Sequence, residues 1–159
     1  MPSESIRMER TEFNRLVDAL VSGTTTVANA ANQDPQLHLR RGIHDETLLH
    51  FFSVESKPEL VRALASLGSD LNTENEFGNT PLIEAVIKDD LSMAELLLEL
   101  GANPNWQSSR DKNTALHVAA DYERQDAVHV LLRFGASTGL QNKYSETSAA
   151  LIAKNKLTL

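Results

Sequence analysis

An all-α solenoid of stacked helix pairs is the fold class this sequence predicts, and three observations predict it. Threonines recur at Thr47, Thr80, Thr114 and Thr147, in steps of 33, 34 and 33 residues. Behind each of the first three lies an apolar run, then a second apolar run at helical spacing. Behind each second run stands a glycine, Gly68, Gly101 or Gly135, where a left-handed residue would end the helix. A period of this length marks an architecture in which each unit buries its apolar face only against its neighbours.

The units follow in order, as one domain over residues 1–159. One period before Thr47 stands Asn14, with Leu16, Ala19 and Gly23 in the places of Leu49, Phe52 and Ser56. This predicts a degenerate first unit over about residues 10–41, with Asn14 at its front. The second unit, 42–74, opens at Thr47, a good N-cap, and carries Pro58 at the break before Leu60, Val61 and Leu64. The third, 75–108, has Thr80 followed by Pro81, which suits a first helical turn because its missing N–H is not needed there. Ala85 follows, then Asp89-Asp90 at the break, then Met93 to Leu98. The fourth, 109–141, repeats Thr114, Leu116, His117, Ala119 and Ala120, and its second run is Ala127 to Leu132. One residue is inserted between Trp106 and Asn113. The fifth, 142–159, keeps Thr147, small residues and an apolar face. Between units run about a dozen polar residues rich in Asn, Asp and Gly, enough for a projecting turn or short hairpin.

These motifs resemble the ankyrin-repeat family. Thr80-Pro81-Leu82, Thr47-x-Leu49-His50 and Thr114-x-Leu116-His117-x-Ala119 keep parts of its Thr-Pro-Leu-His-x-Ala signature, and Gly101-Ala-Asn-Pro-Asn105 resembles its Gly-Ala-Asp-Val-Asn segment. The chain departs from the pattern where Ile83 and Ala150 replace the family's His. It departs again where Ser56, Asp89 and Glu123 replace the Gly that opens the second helix. The weaker outer copies suit capping units, whose outward faces meet water, and imply a monomer.

Composition excludes several classes of function. With no cysteine, thiolate zinc sites, iron–sulfur clusters, disulfides and cysteine nucleophiles are all out. A net charge of −7 gives no basic footprint for a phosphate backbone, so direct nucleic-acid binding is not expected. The first ten residues mix charges of both signs and lack an apolar core, so no signal sequence is read there. No window is apolar enough for a membrane helix, and a cytoplasmic protein follows. GxGxxG, GxxxxGK[ST] and HExxH are absent, and the one GxSxG match, Gly135-Ala-Ser137-Thr-Gly139, follows an apolar helical run where the repeat ends a helix, not the strand that a nucleophile elbow needs. His50 and His117 occupy the same place in two units, where the family's His hydrogen-bonds neighbouring turns. His38, His44 and His129 form no metal pattern, and Asp89-Asp90 sits where carboxylates meet helix N–H groups. No enzyme, metal site or cofactor is predicted.

Surface recognition remains. The family resemblance implies contact positions on the fingers and just past the inner helices. In the second unit these are Ile43, His44, Glu46, Val54 and Glu55, and in the third Glu76, Phe77, Asn79, Ile87 and Lys88. The fourth supplies Arg110, Asp111, Asn113, Asp121 and Tyr122, and the fifth Lys143, Tyr144 and Glu146. Phe77, Tyr122 and Tyr144 are three of only eight aromatic residues, and the single Trp106 lies in the finger with the insertion. Aromatic residues are enriched in binding hot spots, although these could also pack the bases of the fingers. Charge is uneven: residues 45–100 hold twelve acids against three bases, residues 101–159 five against seven. Such a field favours a protein partner with a basic face, such as an effector, a toxin or a nucleic-acid-binding protein. The resemblance implies a stoichiometric inhibitor of the immunity type. The alternatives are a scaffold or a regulator resembling the I-kappa-B-like inhibitors of transcription factors, and then an enzyme with an unrecognised site.

Overall fold

The computed structural model describes residues 7–159; the reading of the N-terminus as free of a signal falls partly on residues 1–6, which lie outside the described residues. Nine α-helices are found among the described residues: α1 (Arg10–Val21), α2 (Val27–Gln33), α3 (Leu48–Val54), α4 (Pro58–Ser66), α5 (Pro81–Ile87), α6 (Leu91–Glu99), α7 (Ala115–Asp121), α8 (Gln125–Arg133) and α9 (Ser148–Lys154). A short 3₁₀ turn spans Leu37–Leu39, and the only β pairing among these residues is a few isolated bridges at the fingers, such as Arg41 with Thr47 and Gln141 with Thr147. The inner helices α3, α5, α7 and α9 stack in one layer, and the outer helices α2, α4, α6 and α8 lie behind them.

Threonine starts each inner helix for a visible reason. The hydroxyl oxygens of Thr47, Thr80, Thr114 and Thr147 each accept from the backbone N–H three residues on, satisfying a donor that the helix itself leaves free. Pro81 opens α5 and Pro58 opens α4, as expected of prolines at a first turn. Asp90 caps α6 by accepting from the Met93 N–H at 3.0 Å, while Asp89 instead faces Arg124 at 3.3 Å. Gly68, Gly101 and Gly135 close the outer helices with φ of 84°, 104° and 84°. The core is a line of neighbour contacts: Leu49, Phe52, Leu64, Ala85, Leu97, Leu116, Ala119 and Leu131 are all closed to solvent.

The ends differ from the expected pattern. Asn14 does not open a helix, because α1 starts four residues earlier, after Glu9, and no side chain caps it. Phe13, Val17 and Leu20 extend a buried face at helical spacing on both sides of Asn14, so helix runs on where the register places a turn. Phe52 stands where later units have Ala85 and Ala119, and the extra bulk is met by aromatic stacking. Phe51 lies edge-on to Phe52 at 5.5 Å and to Phe13 at 5.9 Å. At the far end the fifth unit has its inner helix only. The segment after it runs back to Gln125, whose side chain donates to the Thr158 carbonyl and accepts from its N–H, both at 2.8 Å.

Ser56, Asp89 and Glu123 adopt φ of 51°, 61° and 56°, the left-handed conformation the missing glycines would have taken freely. Each therefore holds a strained backbone, at a cost on the order of 1 kcal/mol. Replacing exposed Glu123 by Gly releases that strain but makes the unfolded chain more flexible, so stability in urea unfolding should stay level or rise by up to about 0.5 kcal/mol. A fall of about 0.5–1 kcal/mol, the cost of the glycine alone, would show that no strain is stored there.

Candidate functional site

The fingers are built by side chains that fold back on their own backbone. The Asn75 carboxamide oxygen accepts from the N–H groups of Phe77 and Asn79, and Asn142 does the same for Tyr144 and Glu146. The second finger has Gly42 at that place, and Glu46 substitutes from across the turn: its carboxylate accepts from the His44 N–H at 2.7 Å and fills the space a side chain on Gly42 would need. Gly78 has φ of 80°, and a Cβ there would lie 2.8 Å from Ser108 Oγ, so the next finger can close down on it.

Neighbouring fingers are tied by backbone. The Glu76 N–H donates to the His44 carbonyl at 2.9 Å, and Lys143 donates to Asp111 at 2.8 Å. No such backbone bond joins the third and fourth fingers among the described residues. At this junction the inserted residue is accommodated by one carboxylate. Glu74 accepts from Trp106 Nε1 at 2.8 Å, from the Ser109 N–H at 2.8 Å and from the Ser109 hydroxyl.

His50 and His117 are braces, each fully buried. In each, Nδ1 accepts from the N–H of the capping threonine at 3.2 Å. Nε2 then donates to a carbonyl of the next finger, Asn79 at 3.1 Å and Glu146 at 3.2 Å respectively. Burial pushes the His50 imidazole down to about 4, so the ring is neutral in the folded protein. His129 binds Gln125 and Thr158, and no cluster of metal-ligating side chains is found among the described residues.

The residues expected at contacts divide by what their polar groups already do. Asn79 donates to Glu84 and receives His50 on its carbonyl; Asp111 and Asn113 bond each other, and Asn113 also accepts from Asn142. These side chains hold finger shape, as Glu46 does. Ile87 packs half-buried on the core, and the Lys88 ammonium donates to the Val54 carbonyl at 2.9 Å. Glu55, Arg110, Asp121 and Glu146 are exposed. So are the aromatics: Phe77 is 51% exposed, Tyr122 53% and Tyr144 65%, the last with the Lys143 ammonium 5.0 Å above its ring. Trp106 is 37% exposed but turned to Glu74.

The structure gathers part of this set into a groove of about 310 Å³ lined by His44, Glu46, Val54 and Phe77. Ile43, His44 and Glu46 also line a smaller adjoining hollow of about 180 Å³. Sequence reasoning missed Phe51 and Glu84, which line the groove from the same position of successive inner helices, and Arg10 at the smaller hollow. The signal was present for one of them: Phe51-Phe52 stands where later units have Glu84-Ala85 and Val118-Ala119. An aromatic doublet is more than the core face of so short a helix needs.

Stacked helix pairs, capped by threonine and joined by fingers with an open inner face, define a repeat protein of the interaction type. A family model for three copies of ankyrin repeats matches residues 10–108 and again 49–142, and the chain belongs to the ankyrin-repeat family. It is 34% identical over 134 residues to human ankyrin repeat and SOCS box protein 16, covering 84% of this chain and 29% of that protein. It is 31% identical over 139 residues to protein PhlB of Serratia liquefaciens, covering 87% of this chain and 61% of that protein. A match to human 2-5A-dependent ribonuclease, 41% identical over 75 residues, covers 47% of this chain and 10% of the enzyme. The chain thus spans less than two thirds of the length of each of these relatives. Ankyrin repeats are protein–protein interaction modules, in general without catalytic activity, and no helix among the described residues is long and apolar enough to cross a membrane.

Two measurements check the braces. His50 binds a proton in the unfolded chain below its ordinary value of 6.5 but in the folded chain only below about 4. Above 6.5 both states are neutral and it contributes nothing. As pH falls from 6.5 to 4 it should remove stability, by about 3 kcal/mol in all. Chemical unfolding of wild type and His50→Gln across that range should show this slope in the first and its loss in the second. Glu74→Ala should lower stability by about 1–3 kcal/mol and redshift Trp106 emission as the indole loses its acceptor. An unshifted spectrum would count against the carboxylate bridge.

Proposed function

We propose that this chain is a non-catalytic, stoichiometric binder that inhibits a protein partner with a basic face, in the manner of an immunity protein. One observation carries the reading. Phe77, Tyr122 and Tyr144 are each more than half exposed, at positions the family resemblance implies as contacts, and Phe77 lies within a stretch of twelve acids and three bases. Exposed aromatic anchors provide binding energy at small conformational cost, and an acidic field steers a basic partner and fixes its orientation. The groove lined by His44 and Phe77 supports the same reading, because its polar groups are used in holding shape and no nucleophile and base are aligned within it.

On this reading the five units act as one interaction domain, divided near residues 42, 75, 109 and 142. The domain works as a cytoplasmic monomer without cofactor, and it contacts neither nucleic acid nor membrane directly. Occupying a partner's surface is enough for inhibition, so no turnover is required.

Co-purification from the native cell should recover one protein partner at a 1:1 ratio, with an activity that falls in step with the fraction bound. Phe77→Ala and Tyr122→Ala should each weaken that complex by roughly tenfold or more, about 1.4 kcal/mol, without moving the thermal midpoint. A fall in stability in place of affinity would assign the rings to packing. Two partners held at once would favour a scaffold over an inhibitor.

A further inference from the structure

We propose that the groove between the second and third fingers is the primary docking pocket, and that it receives an apolar side chain flanked by lysine or arginine on an exposed segment of the partner protein. This rests on the reading that the chain works by binding a protein, and it adds where that protein docks and by what chemistry.

The pocket has an apolar lining and an acidic rim. Phe51, Val54 and Phe77 supply the apolar surface, and the His44 ring lies 6.0 Å from that of Phe77 at a 32° tilt. A volume of about 310 Å³ is at the small end for a ligand site, which suits a side chain better than a cofactor. Two carboxylates line the same space. Glu84 accepts from the Asn75 and Asn79 amides at 3.0 and 2.9 Å, and Glu46 accepts from a backbone N–H. Neutral donors hold these groups in place without cancelling their charge. Exposed Glu55 follows Val54 in the chain, and Glu76 meets His44 at 2.5 Å. Of the cations nearby, Lys88 is bound to the Val54 carbonyl, Arg10 lines the adjoining hollow and Arg41 is engaged by Asp45.

A bare apolar side chain would satisfy the lining and leave that field unanswered; a cation alone would leave the apolar surface wet. A segment carrying both meets both needs, and its flanking cations reach carboxylates that have not been neutralised. The adjoining hollow shares His44, Glu46 and Phe51 with the pocket, so a second side chain of the same segment can sit beside the first. The fourth and fifth fingers, with Arg110, Lys112 and Lys143 against Asp111 and Glu146, lack that acidic field.

The test is a titration of the full chain, followed by amide and methyl NMR, with the peptide acetyl-Gly-Lys-Leu-Lys-Gly-amide and its counterpart in which both lysines are glutamates. The basic peptide should give saturable shifts centred on His44, Val54 and Phe77, and the acidic peptide should bind at least about tenfold more weakly. Raising salt from about 0.01 M to about 1 M, which shortens the screening length from roughly 30 Å to roughly 3 Å, should weaken the basic peptide severalfold. The exposed pair Glu55→Lys and Glu76→Lys should abolish the preference between peptides, and Phe77→Ala should weaken the basic one while leaving the circular dichroism unchanged. Equal response to both peptides, or shifts centred on Tyr122 and Tyr144, would overturn the proposal. If the native partner is retained by the charge-reversed pair but lost on Tyr122→Ala, the pocket assignment fails while protein binding stands.

Discussion

A helix of seven residues cannot hold itself together in water, and every inner helix of this protein from α3 onward is that short. The bond that makes such helices usable is the threonine cap, repeated four times, which satisfies an otherwise free N–H and fixes the angle at which the finger enters the helix. Where the third helical residue is histidine, the cap gains a second function. The ring accepts from the threonine N–H and then reaches the next finger, so the start of one unit is welded to the turn of another. Finger spacing, and with it the shape of the inner face, depends on this short chain of hydrogen bonds.

Most of the fold was legible because the determinants are local and repeated. Thr80-Pro81, Pro58 and the glycines at 68, 101 and 135 state where helices begin and end in terms of backbone groups that must be satisfied, and the structure follows them. At the front of the first unit, alignment by period carries Asn14 to a capping position, whereas the helix already runs from Arg10. The pattern of Phe13, Val17 and Leu20 held the better information. The left-handed residues Ser56, Asp89 and Glu123 were visible as departures from glycine. That the backbone would accept the strain was not, since it depends on how tightly adjacent helices fix the turn.

The candidate site was less legible, and for a physical reason. Period locates equivalent positions in successive units but not whether a side chain there is available. Asn79, Asp111, Asn113 and Glu46 fall on positions that the family resemblance implies as contacts, yet their polar atoms are engaged in finger turns. Phe51 and Glu84 lie one position outside the expected set and line the groove. Phe77 and Tyr144, on fingers, and Tyr122, at the C-terminal end of α7, are each more than half exposed.

The Glu74 bridge gives the array a seam. The second and third fingers are joined by backbone, as are the fourth and fifth, whereas the third and fourth meet through side chains: Glu74 answers Trp106 and Ser109, and Asn72 accepts from the Asn103 N–H at 2.8 Å. A link made of side chains can be changed by substitution without breaking a main-chain bond, so the spacing of these two fingers is open to sequence change in a way that the other two junctions are not.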